Sequence, residues 1–269
     1  MIENMACTTD CVVECPSDWT LDPTCKPWRH PIKAHGREAL QAVSLIAGHT
    51  MPGDRVWAVA HEGSKADGSE WVPCANFNRV SKVPQLMAMH ARLNDETGIV
   101  TLTHHQLGEF SFDPDGDATG FLAWVQPIMP TDRAASKRII KVPNRGMTDS
   151  DFPSVTLCNI ASHRDVERKM GMDLSPLRWR GNIWMDGVEA WDEFNWMDRD
   201  VRIGEAILRI RERTDRCPST KSNPVTGVHD AETLCALDSF GHRDFSVRAE
   251  VIQGGRIMRS IALGQVAYC

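Results

Sequence analysis

The sequence predicts a β-rich α+β fold in two parts behind a loose N-terminal extension. Three observations carry that expectation. Short apolar runs of strand length recur along the chain, turn signals rich in Gly, Pro, Asn and Asp separate them, and segments with a helical period are few and short. Residues 1–26 lack a sustained apolar period and contain Pro16 and Pro23, with Pro27 just beyond, so they are expected to form an extension. Residues 27–143 are expected to form one domain, a β-rich barrel or sandwich, and residues 144–269 a second domain.

In the first domain, strand-like runs fall at 42–47, 56–60, 86–93, 99–103 and 139–142. Turns are expected at Pro52-Gly53-Asp54, Asn94-Asp95 and Asp113-Pro114-Asp115-Gly116. One helix is expected at 117–125, capped by Asp117. The segment Pro143-Asn144-Arg145-Gly146-Met147 is a connector. Beyond it, a helix over 162–170 has Gly171 as its stop. Strands follow at 182–186 and 206–211, with Asp186-Gly187 as a turn. A helix over 230–237 capped by Asp230 and a strand over 245–252 before Gly254-Gly255 complete the order. Trp184, Trp191 and Trp196 are expected in the core or a lid, and His104-His105 at an exposed strand end.

The 269 residues suffice for one large or two modest domains. A net charge of -6 gives no uniform positive field, which disfavours a general nucleic-acid or acidic-lipid binder. Arginines nevertheless gather in the C-terminal half at Arg178, Arg180, Arg202, Arg209, Arg211, Arg213 and Arg216, a pattern that suits a small polyanion or simply solvated strand faces. No apolar run approaches the roughly 20 residues of a membrane span. The first residues carry acids and no basic region of a secretion signal. Nine cysteines cannot all pair internally, so free thiols in a reducing, cytoplasmic setting are expected. Cys7, Cys11 and Cys15 recur at every fourth residue, but the closer C-x-x-C pairs usual for zinc or iron–sulfur sites are missing from that segment.

The most informative stretch is Arg211-Glu212-Arg213-Thr214-Asp215-Arg216-Cys217-Pro218-Ser219-Thr220. An alternating strand delivers the chain to Cys217, and Pro218 prevents regular pairing at the next position, so the thiol should sit at the mouth of a strand. Neighbouring guanidiniums favour a thiolate, the form that binds soft metals or attacks electrophiles. Asn223-Pro224 with Thr226-Gly227 is a tight-turn signature able to fold a loop back over the site.

Three groups of residues, in this order, resemble the MOSC domain proteins with an N-terminal β-barrel, the group that includes the amidoxime-reducing component. They are His30-Pro31-Ile32-Lys33 with Gly53-Asp54-Arg55-Val56-Trp57; Arg178-Trp179-Arg180-Gly181-Asn182-Ile183; and Arg216-Cys217 with Asn223-Pro224-Val225-Thr226-Gly227. Ile203-Gly204-Glu205-Ala206 and Val247-Arg248-Ala249-Glu250-Val251 add to them. The resemblance implies a barrel-like domain packed on a MOSC β-barrel with short peripheral helices. It also implies a molybdenum cofactor (Mo-molybdopterin), with Cys217 as metal ligand and catalytic residue. Lys33, Arg55, Arg180, Asn182, Asp215, Arg216 and Arg248 would be cofactor-binding. Taken singly, Arg55 could instead pair with Asp54 at the surface, Lys33 could be a solvated edge residue, and Arg180 could stack on an indole. Family members often carry Lys-Ser where this chain has Lys33-Ala34.

The activity implied is reduction of small N-hydroxylated substrates, with Asp215 and Asp244 as candidate acids. No G-x-G-x-x-G fingerprint or ferredoxin-type cysteine cluster appears, so electrons would come from a separate ferredoxin-like or other small carrier. Two alternatives use the same residues. Cys217 could carry a persulfide in sulfur transfer to a metal cofactor, although no pyridoxal-phosphate lysine domain is seen to supply the sulfur. The protein could also be a non-enzymatic carrier of the molybdenum cofactor.

Overall fold

A computed structural model describes residues 26–258. The Cys7, Cys11 and Cys15 segment lies outside them. The fold is the expected β-rich α+β type with short helices.

The strands of the first part are β1 (Trp28–Arg29), β2 (Glu38–Ala39), β3 (Ala42–Leu45), β4 (Ala58–His61), β5 (His90–Leu93), β6 (Val100–His104) and β7 (Gly108–Phe112). Helix α1 (Thr119–Val125) and strand β8 (Ser136–Ile140) follow. Strands β5, β6 and β7 form an antiparallel meander, and β4 pairs with β8. Their inward residues, Val59, Leu93, Val100, Leu102 and Phe112, pack with Phe121 and Val125 of α1. The carboxylate of Asp117 accepts from the backbone and hydroxyl of Thr119 (2.9 and 2.7 Å), so it satisfies the start of α1 from two residues upstream.

The second part holds β9 (Val155–Asn159), α2 (Ile160–Met170), β10 (Ile183–Met185), β11 (Asp200–Ile203), β12 (Ala206–Asp215), α3 (Thr233–Asp238), β13 (Asp244–Gln253) and β14 (Gly255–Met258). Five of these strands form one curled sheet in the order β10-β9-β13-β12-β11, parallel only between β10 and β9. Register shifts between β12 and β13 bend the longest pair. One face buries Leu157, Ile183, Trp196, Leu208, Ile210, Val247 and Val251. On the other side α2 and α3 cover Trp179, Trp184 and Phe245. Asn159 caps α2 by accepting from Ala161, and Gly171 ends it at φ 65°.

The two parts are interleaved. Strand β3 pairs with β14, Leu45 opposite Gly255 and Ala42 opposite Met258. A Cβ at Gly254 would lie 2.6 Å from the Leu45 carbonyl, which explains a glycine at this crossing. The Trp28 amide donates to Asn182 (2.7 Å), and Asn182 Nδ2 donates back to the Trp28 carbonyl (3.0 Å).

Several expectations need correction. The run at 86–93 is divided, because Pro84 opens a 3-10 turn over Pro84–Ala88 and only His90–Leu93 is strand. Strands β4 and β8 are displaced from 56–60 and 139–142 to Ala58–His61 and Ser136–Ile140. Helix α3 starts at Thr233, not residue 230, because Asp230 is engaged by Arg178 (2.7 Å) and Asn223 (2.5 Å). His104 is buried, closed in at the β6–β7 turn beside His105, and so is not an exposed strand end. Trp184 and Trp196 are core residues, as expected.

Candidate functional site

The end of β12 decides where Cys217 stands. Arg216 leaves the ladder and donates to the Phe245 carbonyl from Nε (2.9 Å) and Nη2 (2.7 Å), to Ser246 Oγ (2.6 Å) and to the Trp179 carbonyl (2.8 Å). Its guanidinium also lies over the Trp179 and Phe245 rings at 5.6 and 5.7 Å. Burial pushes its pKa down to about 10, still charged at neutral pH. With Arg216 fixed, the next residue must turn out. Pro218 opens a 3-10 turn over Pro218–Lys221, and Cys217 is exposed with Ser219 Oγ 3.1 Å from its sulfur.

Arg178 clamps this turn from below. It donates to the carbonyls of Thr220 (3.4 Å) and Lys221 (3.2 Å) and pairs with Asp230. The Asn223 side chain accepts from Val225 (2.8 Å) and Thr226 (3.2 Å), the turn chemistry expected from Asn223-Pro224. Arg37 donates to the Pro224 carbonyl (2.8 Å), tying the loop to the first part of the chain.

Cys217 faces a cavity whose lining comes from both parts of the chain. Lys33, Arg55, Arg79, Arg178, Arg180, Arg216 and Arg248 contribute seven basic side chains, against the two carboxylates of Asp149 and Asp215. The wall is therefore strongly cationic in a chain whose formal charge is -6. Lys33 is buried, its ammonium donating to the Met147 carbonyl (2.6 Å) and Asp149 (2.5 Å), so it is no solvated edge lysine. Burial lowers the Lys33 pKa, with Asp149 opposing the shift. For Asp149, burial pushes upward but is outweighed by Lys33, Arg55 and Arg248, and the carboxyl lies below its ordinary value.

Arg55 pairs with Asp54 as its sequence neighbour suggests, but that carboxylate is fully buried and the pair is not a surface one. Asp54 also accepts from the His30 amide (2.7 Å), and Arg55 Nη2 reaches the Arg180 carbonyl (2.9 Å). Arg180 sits in the left-handed region at φ 50°, with one guanidinium nitrogen buried and without a partner. Burial, then Arg55 and Arg37, lower its pKa to about 9. It is Arg216, not Arg180, that stacks on the Trp179 indole. Arg248 pairs with Glu212 (2.6 Å) and also reaches the Asp149 carbonyl (3.3 Å).

The geometry thus gathers Lys33, Arg55, Arg180, Asp215, Arg216, Cys217 and Arg248 around one cavity. Asn182 is not among the lining residues. It is fully buried and occupied with the backbone of Trp28 and Thr156, so it joins the N-terminal segment to the sheet. Asp244 is likewise absent from the lining. Asp149, Arg178, Cys74 and Arg79 line it without having been expected there. Asp149 follows the connector and has no motif around it, whereas Arg178 stood two residues before Arg180 and could have been found as part of the same run.

An anionic group with phosphate oxygens and a metal seeking a soft ligand fits this donor set. The unpartnered Arg180 nitrogen and the unpartnered Arg178 Nε are both buried donors at its wall. The cavity volume is about 140 Å³. Among the described residues, no group of three or more His, Cys, Asp or Glu side chains forms a separate metal cluster. No helix there is long and apolar enough to cross a membrane.

No curated relative matches the chain in sequence. Among solved structures, YUAD protein from Bacillus subtilis is similar at 12% identity and a TM-score of 0.40, covering 88% of this chain and 90% of that one. YiiM from Geobacillus stearothermophilus is similar at 11% identity and a TM-score of 0.32; the match covers 43% of this chain and about half of that one, 53%. The family model described as MOSC domain matches residues 147–266, and this chain therefore carries a MOSC domain in its C-terminal half.

Proposed function

We propose that the protein binds a molybdenum cofactor through Cys217 and reduces small N-hydroxylated compounds with electrons from a separate carrier. One observation carries this reading: an exposed thiol stands at the mouth of a cavity lined by seven basic side chains and two carboxylates. When bound, the cofactor would supply redox chemistry suited to removing oxygen from an N–O bond. The overall reaction consumes two electrons and two protons per N–OH and releases an amine and water.

The chain's own residues do the binding and positioning. Lys33, Arg55 and Arg180 offer fixed cationic donors to the phosphate and dithiolene of the cofactor. Arg216 and Arg178 hold the two sides of the turn that presents the Cys217 sulfur. Asp149 holds the Lys33 ammonium at 2.5 Å in the cavity wall. Of the two candidate acids, Asp215 lines the cavity and Asp244 lies outside it, so Asp215 is the one that stands at the site.

The test is to purify wild type and Cys217→Ala from a cofactor-producing host, then assay metal, pterin and benzamidoxime reduction with an artificial reductant. Wild type is expected to carry about one molybdenum and one pterin per chain, and the folded variant to lose metal and activity. Wild type that loads cofactor but never turns over would favour a carrier. Transfer of labelled sulfur from Cys217 would favour the persulfide reading.

A further inference from the structure

A second cavity of about 470 Å³ adjoins the first and is the larger of the two. Both are lined by Asn78 and Arg79, the two residues they share. Three cations, Arg79, Lys82 and Arg133, stand around it with a single carboxylate, Asp132. None of the three makes an ion pair among the described residues, whereas the basic groups of the first cavity at Lys33, Arg55, Arg178 and Arg248 all do. Arg79 Nε and His61 Nδ1 are buried without partners in the same lining. Its apolar surface comes from the buried Phe77 and Val83 with the half-buried Met129 and Pro130, and Asn78, Gln126 and Thr131 add polar groups beside them.

We propose that this second cavity is a binding site for a small organic phosphate monoester. The formal balance of three cations and one carboxylate is two positive charges, which matches the dianionic phosphate. Phe77, Val83, Met129 and Pro130 offer contact to an organic body attached to it, and the volume falls within the range of small-molecule sites. A guanidinium and an ammonium at the mouth would take the phosphate oxygens, Arg133 and Lys82 from the solvent side and Arg79 from the wall. The site does not depend on the cofactor reading, because only Arg79 and Asn78 are shared.

The test is calorimetric titration of the full chain with phenyl phosphate at low ionic strength, alongside inorganic phosphate and phenol. One phenyl phosphate per chain is expected, with inorganic phosphate at least about tenfold weaker and phenol weaker still. Lys82→Ala and Arg133→Ala, both exposed positions that leave the core intact, should each weaken binding about fivefold. Cys217→Ala and Arg248→Ala should leave it unchanged. Absence of binding at millimolar phenyl phosphate would overturn the proposal. So would binding weakened by Arg248→Ala yet intact in the Lys82→Ala/Arg133→Ala pair, since the anion would then lie in the first cavity. Equal affinity for inorganic phosphate and phenyl phosphate would remove the organic ligand.

Discussion

Replacing Arg216 with Ala tests whether the clamp at the end of β12 sets the position of Cys217. The substitution removes four donations and leaves three acceptors, the Phe245 and Trp179 carbonyls and Ser246 Oγ, without them. A stranded buried acceptor costs about 1–3 kcal/mol, and water entering from the cavity side recovers part of that. The loss should therefore be about 3–5 kcal/mol. Arg216→Lys keeps a charge and one or two of the donations, so it should lose about half as much. Urea unfolding gives both numbers, and an unchanged m-value would show that the folded and unfolded states have kept their compactness. The same variants should change the labelling rate of Cys217 by a thiol reagent, because the turn that carries it has lost its anchor. Destabilisation below about 1 kcal/mol for Arg216→Ala, with unchanged labelling, would refute the clamp.

Further predictions concern the residues around it. Burial pushes the Asp54 carboxyl upward, but Arg55 and His30 outweigh it and hold its pKa below the ordinary 3.8. Its stabilisation is then present above that value and lost as pH falls through and below it, so acid unfolding of Asp54→Asn should be flatter by at least about 2 kcal/mol between pH 7 and pH 2. A Cβ at Gly181 would overlap Cys158 Sγ, so Gly181→Ala should destabilise by about 1–3 kcal/mol, and Cys158→Ala in the same chain should recover most of it. Additive losses in thermal unfolding would contradict that contact. Burial pushes the Cys158 thiol up to about 12, so peptide mapping after alkylation at neutral pH should find Cys217 and Cys235 modified and Cys158 protected until the protein unfolds.

The parts of this fold that were legible in the sequence are those governed by neighbours along the chain. The path from β12 to Cys217 followed from an alternating strand ended by Pro218, and the end of α2 followed from Gly171. Asn223 likewise marked its own turn. What escaped was set by distant residues. Strand β7 buries only Phe112, so Gly-Glu-Phe-Ser-Phe carries almost no alternation of its own and depends on β6 for its shape. Strand β9 runs between β10 and β13, and its five residues form no pattern outside that sheet. Asp230 has the chemistry of a helix cap, but Arg178, far away in sequence, takes it. Asp149 entered the site for the same reason: its partner Lys33 is brought to it by the fold and not by any spacing.

The pairing of β3 with β14 bears on how the chain is made. During translation Leu45 leaves the ribosome long before Gly255, and at usual elongation speeds the gap is roughly ten to forty seconds. Throughout that interval β3 offers an open edge whose alternating burial, with Val43 and Leu45 on one side, invites pairing with the wrong strand. Substitutions that weaken β14 should therefore lower the yield of native protein in cells by more than their effect on equilibrium stability, and holdase chaperones should recover the difference.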